Sequence, residues 1–467
     1  MSSNLIEEAL NYNANPTPGQ ISMQISKKLN LHLGYTPGIA YPCLEIKKDV
    51  KNLYKYTNVR NSVAVVSNGT AVLGLGNLGA ASAMPVMEGK CVLLKYYANI
   101  DGYPIVLDSN SDIEIINIVK ALKYSFGGIN LEDIKAPECF TIENTLSNDL
   151  DIPIFHDDQH GTAIIVCSAI LNATQIANKN LKDVKIVING AGAAGIACAE
   201  MLKELGANNI ILCDTNGAIF KGRVNTHPSK EKFAQTKAFI LKDFLNQINI
   251  AQDNIKQDEL NLNDIALDDL DSNFNTSLVE NNEPINLEQT ICNADIFIGV
   301  SAKNILSSKM ILSMAENPII LALANPDPEI LPEVAHKIRQ DIIIGTGRSD
   351  FNNQVNNALC FPYMFRAALD TGSSKINMNM KLAAAYAIAQ VQAPTRDILI
   401  PKLVNPFCSK TYNCNNPLLE KIVPAVAKAA INSNLNKINI TNFDQYITDL
   451  KQKQTAFYKQ MHLNGLI

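Results

Sequence analysis

The segment Phe155-His156-Asp157-Asp158-Gln159-His160-Gly161-Thr162-Ala163, read with Gly127-Gly128-Ile129-Asn130-Leu131-Glu132-Asp133 upstream, places up to four carboxylates in two short loops. Magnesium and manganese prefer oxygen ligands in near-octahedral array. Glu132, Asp133 and Asp157 or Asp158 could supply three of these on one face and leave positions for a substrate. On spacing alone a plainer reading stands beside it, in which Asp158 caps a helix at Gly161 and Glu132-Asp133 is a solvated turn. His156 and His160 have the i, i+4 spacing of a zinc pair. No third His or Cys lies nearby and both precede the expected helix, so zinc is not favoured.

A second constellation is Asn189-Gly190-Ala191-Gly192-Ala193-Ala194-Gly195, a full GxGxxG between a predicted strand and a predicted helix. The first glycine permits the tight turn, the second lets backbone approach a pyrophosphate, and the third packs helix on strand. Asp214, nineteen residues beyond Gly195, ends the next predicted strand, where a carboxylate can bind ribose hydroxyls. With no cation in Thr215-Asn216-Gly217 and Lys221 the nearest downstream, Asp214 favours a free 2′-hydroxyl and so leans the choice toward NAD over NADP. Gly74-Leu75-Gly76-Asn77-Leu78-Gly79 matches the same pattern, but no acid ends an unambiguous next strand. It reads as a close-packed strand-to-helix turn.

Oxidising an alcohol needs a base. Lys90, in Glu88-Gly89-Lys90, is expected where a turn enters an apolar strand; desolvation and a nearby cation would lower its pKa. Lys95 competes for that role. Tyr35, in Tyr35-Thr36-Pro37-Gly38, could be an acid, although the residues alone favour a buried structural tyrosine.

The elements that must position these groups follow an α/β order. Residues 1–60 read as a helical arm interrupted by Pro and Gly. Ser62–Ser67, Cys91–Leu94 and Tyr103–Asp108 are strand candidates, and Asp112–Tyr124 has helical spacing. A small-residue helix from Gly161 leads to strands at Val184–Asn189, Ile210–Asp214, Ala294–Gly299, Ile319–Ala324 and Ile342–Gly345, the alternation of a mostly parallel sheet. The expected organisation is an α/β domain over 1–160 for substrate and metal, a doubly wound dinucleotide-binding domain over 161–372, and a helical segment over 373–467. A polar, acidic insertion near 225–286 interrupts the second; its Asp264–Asp271 centre lacks the glycine and closing Glu of a calcium loop.

The 467 residues, 47% hydrophobic, suffice for two or three cores. A formal charge of -5 gives no footprint for nucleic acid or anionic membrane. No stretch approaches ~20 consecutive apolar residues and the N-terminus lacks a signal pattern, so a cytoplasmic protein acting on small molecules is expected. Ten scattered cysteines without a CxxC pair read as buried reduced thiols.

Taken together these motifs resemble the malic enzyme family, in its short bacterial branch. The resemblance rests on Tyr35-Thr-Pro-Gly-Ile-Ala, Val-Leu-Gly74-Leu-Gly-Asn-Leu-Gly, Pro85-Val-Met-Glu-Gly-Lys90, Gly127-Gly-Ile-Asn-Leu-Glu132-Asp133, Phe155–Ala163, Ala324-Asn325-Pro-Asp-Pro-Glu and Thr346–Asn357. It breaks in 225–286 and 409–416. It implies a Rossmann-like second domain and oxidative decarboxylation of L-malate with NAD or NADP and Mg2+ or Mn2+, in a homodimer. Lys90 would be the base, Tyr35 the acid, Glu132, Asp133 and Asp158 the metal ligands. Asn325 and Asn357 would contact substrate, and Asn325 the nicotinamide as well. Larger relatives place an arginine for a substrate carboxylate where Ala71 stands here. A malolactic-type enzyme, which retains its cofactor, would use the same residues; a non-catalytic dinucleotide-binding regulator should lack one of them. A chain ending at 467 is expected to carry no acyltransferase-like extension.

Overall fold

A computed structural model describes residues 30–224, 226–247, 283–403, 406–408 and 413–464. It contains two compact units, one of residues 1–161, 357–391 and 403–467, the other of 162–356 and 392–402.

The first unit is built on a four-stranded sheet. β1 (Ser62–Ser67) is buried at every position, the signature of a strand covered on both faces. It lies between β2 (Asp101–Val106) and β3 (Gly128–Leu131), and β4 (Ile154–His156) pairs with β3; all pairings are parallel. Neither β3 nor β4 was predicted from the sequence. At four and three residues each is too short to show a period. Their consequence is positional: the two acidic loops leave the carboxyl ends of adjacent parallel strands, where ligand sites of open α/β sheets form.

Cys91–Leu94, expected as a strand, belongs instead to the helix Ala80–Ala98. Ala80, Ala83, Met87, Cys91, Leu94 and Ala98, six of its seven buried residues with Tyr97 the seventh, follow at intervals of three and four, which is helical spacing. Pro85 and Gly89 suggest a break, but both are accommodated inside it; interior glycine costs only about 1 kcal/mol against alanine. Lys90 therefore stands mid-helix and not at a strand entrance. The turn ahead of this helix is not close-packed at its own residues, against expectation: residues 73–78 are exposed and a Cβ on Gly76 or Gly79 would meet nothing within 4 Å, whereas one on Gly69, before the turn, would lie 2.2 Å from the carbonyl oxygen of Gly79.

The helices Phe361–Thr371, Met378–Ala389, Pro417–Asn432 and Phe443–Leu463 complete this unit. Tyr458 Oη and Gln454 Nε2 donate to the carbonyl of Tyr96 at 2.6 and 2.8 Å, and Asn416 Nδ2 to that of Tyr97, so the last turn of the Ala80–Ala98 helix is pinned from outside.

The second unit holds a six-stranded sheet in the order β10-β9-β8-β5-β6-β7, from β5 (Lys185–Asn189), β6 (Asn209–Asp214), β7 (Gly217–Ala218), β8 (Ile296–Gly299), β9 (Ile319–Ala322) and β10 (Ile343–Thr346). All pairs are parallel except β6 with β7. The five predicted strands are present. Strand order reverses at β5, which makes its carboxyl end the topological switch point. Most of the acidic insertion, including Asp264–Asp271, lies outside the described residues. Among the described residues, no helix is long and apolar enough to cross a membrane. Of the eight cysteines whose side chains are described, seven are buried, Cys43 is exposed, and all eight are free.

Candidate active site and dinucleotide turn

Glu132 and Asp133 follow β3, and Asp157 and Asp158 follow β4 as the first turn of a helix over Asp157–Ile176. That helix begins four residues earlier than Gly161, so Asp158 is not its cap; Asp158 Oδ2 instead accepts the backbone N–H of Asp133 at 2.8 Å. Oxygen atoms of Glu132, Asp133 and Asp158 lie within 4.8 Å of one another. Asp158 keeps a side chain 35% exposed while Glu132 and Asp133 are buried.

Lys90 joins this cluster. Its Nζ lies 2.7 Å from Glu132 Oε1 and 2.5 Å from Asp157 Oδ2, with the Phe361 ring 4.9 Å away. Lys95, its competitor, is paired with Asp101 at 2.8 Å. The expected lowering of the Lys90 pKa is reversed. Burial pushes it down, but the Asp157, Glu132 and Asp158 carboxylates outweigh burial and hold it above the usual lysine range. Burial and then mutual repulsion, opposed by Lys90, raise Glu132 well above the carboxylate range; burial and Asp158 push Asp133 up to about 7.

One ammonium shared among four carboxylates leaves the cluster short of positive charge, and Asp133 Oδ2 is buried without a hydrogen-bond partner. An all-oxygen set with an orphaned buried acceptor fits a hard divalent cation. The two histidines do not fit zinc. His156 Nε2 is 3.9 Å from Asp158, whereas the His160 ring is engaged by Glu143 at 2.8 Å and Lys381 at 3.0 Å.

Glu143 escaped the sequence reading. It accepts from the His156 backbone N–H (3.0 Å), Gln159 Nε2 (3.0 Å) and the His160 ring (2.9 Å), so one half-buried carboxylate braces the start of the helix that carries the acidic pair. Burial would raise its pKa, but His160, Lys381 and His156 hold it down to about 2. Its only sequence signal is a carboxylate within the helix Glu138–Asp149, indistinguishable from a solvated one.

Tyr35 is not buried as its residues suggested. It caps the short helix Leu31–Gly34, is 67% exposed, and takes no part in the hydrogen bonds of the carboxylate cluster. Asn357 opens a 3-10 turn in the first unit, its Cβ 3.1 Å from where a Cβ on Gly161 would stand. Ala71 donates its N–H to the Asp133 carbonyl at 3.0 Å.

In the second unit the GxGxxG turn joins β5 to the helix Ala193–Glu204. Gly190 has φ 121° and its Cβ would meet the Val300 carbonyl at 2.6 Å. A Cβ on Gly195 would meet the Gly190 carbonyl at 1.9 Å, whereas one on Gly192 would meet open space. Close packing at the outer glycines and an open face at the middle one is the cradle a pyrophosphate requires. Ala191, Ala193 and Ala194 complete the loop, and Asn325, exposed, follows β9. Asp214 is not free of cations. Arg223 Nη2 lies 2.6 Å from Oδ1 and Lys230 Nζ 2.9 Å from Oδ2, which removes the ground for leaning toward NAD. Nine and sixteen residues separate these cations from Asp214 in the chain, beyond the immediate downstream residues considered in the sequence.

Residues 18–114 match the malic enzyme N-terminal domain, and residues 159–258 and 255–431 match the malic enzyme NAD-binding domain. The chain belongs to the malic enzyme family. It is 45% identical to the NADP-dependent malic enzyme of Salmonella typhimurium over 98% of this chain and 57% of that one. It is 41% identical to an NAD-dependent malic enzyme of Rhizobium meliloti over 97% and 54%. The chain thus spans little more than half the length of these curated malic enzymes. The solved malic enzyme of Pyrococcus horikoshii is 33% identical and superposes with a TM-score of 0.79, covering 98% of this chain and 97% of that one.

Proposed function

We propose that this chain catalyses divalent-metal-dependent oxidative decarboxylation of L-malate to pyruvate and CO2, with reduction of NAD(P). The observation that carries this reading is Lys90 seated in the buried carboxylate cluster at the ends of β3 and β4. A base in contact with an oxygen-ligand set is what alcohol oxidation next to a carboxylate needs.

Lys90 is assigned removal of the 2-hydroxyl proton of malate. Glu132, Asp133 and Asp158 are the residues assigned to hold the cation. A divalent cation supplies Lewis-acid polarisation of the C2 oxygen and the dinucleotide supplies the hydride acceptor. Glu132, once shared with a cation, would loosen its hold on Lys90 and so ease loss of the lysine proton. Asp157 keeps the Lys90 side chain in place throughout. Tyr35 is assigned protonation of the enolate left by CO2 departure, on its motif position. Asn325 and Asn357 are assigned polar contacts with substrate, and Asn325 with the nicotinamide.

A homodimer is supported by the exposed apolar side chains Leu31, Leu33, Tyr41 and Leu44 around Tyr35, which a second copy would cover. The deciding experiment incubates the chain with L-malate, Mn2+ and each dinucleotide. Pyruvate and NAD(P)H in equal amounts support the reading. Lactate without net NAD(P)H would assign the malolactic reaction, and no turnover with either dinucleotide would reject both.

A further inference from the structure

Within the motif Ala324–Glu329 the proposed function uses Asn325 and leaves Glu329 without a role. Glu329 is fully buried, and among the described residues no Lys, Arg or His pairs with it. Its carboxylate is met by backbone instead: Oε2 accepts the Ala324 N–H at 3.0 Å and Oε1 the Ser301 N–H at 3.3 Å. Burial raises its pKa above the ordinary value, with these N–H groups pulling the other way. Ser301 lies just past β8 and Ala324 just past β9, so one carboxylate ties together the loops that leave two adjacent parallel strands. The fold keeps room for it, since a Cβ on Gly299 would lie 2.3 Å from Glu329 Cδ. Ser301 in turn accepts from Asn189 Nδ2 at 2.6 Å, which joins the β8 loop to the residue that opens the glycine turn. A glutamine at 329 would have one acceptor oxygen for two N–H groups, and its amide N–H would face a second donor.

We propose that Glu329 is a positioning residue for hydride transfer, fixing the peptide that leads into Asn325 against the β8 loop and the glycine turn so that Asn325 holds the nicotinamide in place. The inference rests on reading the second unit as the dinucleotide site and Asn325 as its nicotinamide contact. Asn325 is exposed and Glu329 is not, so the buried carboxylate acts through the exposed amide. Misplacing a reacting ring by about 1 Å costs on the order of 10²-fold in rate, which is the scale on which such a tie matters.

Amide hydrogen exchange on the unaltered chain needs no variant. Ser301 is exposed, yet its amide should exchange slowly because Glu329 holds it; fast exchange would overturn the tie. In the full chain, Glu329→Gln should lower kcat for malate oxidation by about tenfold or more. Its Kd for ADP-ribose and for 2′-phospho-ADP-ribose, which lack the nicotinamide, should stay within about twofold of the unaltered chain's by calorimetry. Glu329→Asp keeps the charge and shortens its reach, and its kcat should fall between the two. Asn325→Ala should lower kcat as Glu329→Gln does, and the double variant should fall no further, because both changes remove one placement. A merely structural role would weaken the fragments together with the whole dinucleotide, and its loss would multiply with that of Asn325→Ala. Either result, or an unchanged kcat in Glu329→Gln, would overturn the assignment. Failure of the unaltered chain to bind dinucleotide or fragment would overturn it at its base, and is told apart because no variant is involved.

Discussion

Lys90 Nζ lies 2.7 Å from Glu132 Oε1, so the proposed base and one proposed metal ligand form a single ion pair. Removing the lysine deletes a proton acceptor and also strands two buried carboxylates. Lys90→Ala should lose malate oxidation by about 10²-fold or more. A differential scan should show a destabilised fold, since breaking one side of a buried pair costs about 3–5 kcal/mol. Wild-type turnover in the variant would remove Lys90 from the mechanism.

Tyr35→Phe keeps the ring and deletes the proton. Its exposure means that the change should leave Tm within about 1 °C. Deuterium exchange into the methyl group of pyruvate, followed by NMR, reads enolate protonation directly. Loss of that exchange is expected, and its persistence would reassign the acid.

Chelation should abolish turnover, and Mn2+ or Mg2+ should restore it. Asp158→Asn should raise the metal concentration needed for half-maximal activity while leaving dinucleotide affinity unchanged, because the dinucleotide turn draws on none of the three carboxylates. Full activity in excess chelator, with no metal in the protein by mass spectrometry, would dismiss the site.

Glu143, held down to about 2 in the folded chain against an ordinary value of 4.5, sets a pH dependence with a definite sign. A depressed carboxylate contributes stability that is present above its unfolded value and lost as pH falls toward its folded one. Stability should therefore drop between about pH 4.5 and 2, and Glu143→Gln should flatten that part of the denaturation profile. An unchanged profile would contradict the assignment of Glu143 as the brace of the helix start that carries Asp157 and Asp158.

Gly195→Ala and Gly192→Ala separate packing from binding. The first puts a Cβ 1.9 Å from the Gly190 carbonyl and should lower Tm; the second meets open space and should leave Tm unchanged while weakening dinucleotide affinity. Identical behaviour of the two variants in both assays would count against the cradle.

The dinucleotide half was legible because its signals are local: a buried strand, three glycines at fixed spacing and an acid one strand later all lie within Lys185–Asp214. The catalytic half was legible as residue types but not as placement. Gly89 and Pro85 disguise a helix, and β3 and β4 are too short for periodicity, so Lys90 looked like a strand entrance and the carboxylates like plain loops. Glu143, and the pairing of Arg223 and Lys230 with Asp214, were hidden for another reason. Each acts across tertiary distance on a residue 9 to 17 positions away, where no fixed spacing ties partner to partner.

The approach of Gly69 to Gly79 bears on how this protein tolerates change. The peptide leaving β1 and the peptide entering the helix that carries Lys90 rest on each other with no side chain between them. Substitutions elsewhere in the hydrophobic interior can alter packing without resetting the height of that helix, because its origin is registered main chain to main chain. Drift in core composition is thereby uncoupled from Lys90, and the vulnerability is concentrated at Gly69, where one added methyl would meet the Gly79 carbonyl at 2.2 Å and displace the lysine as a whole.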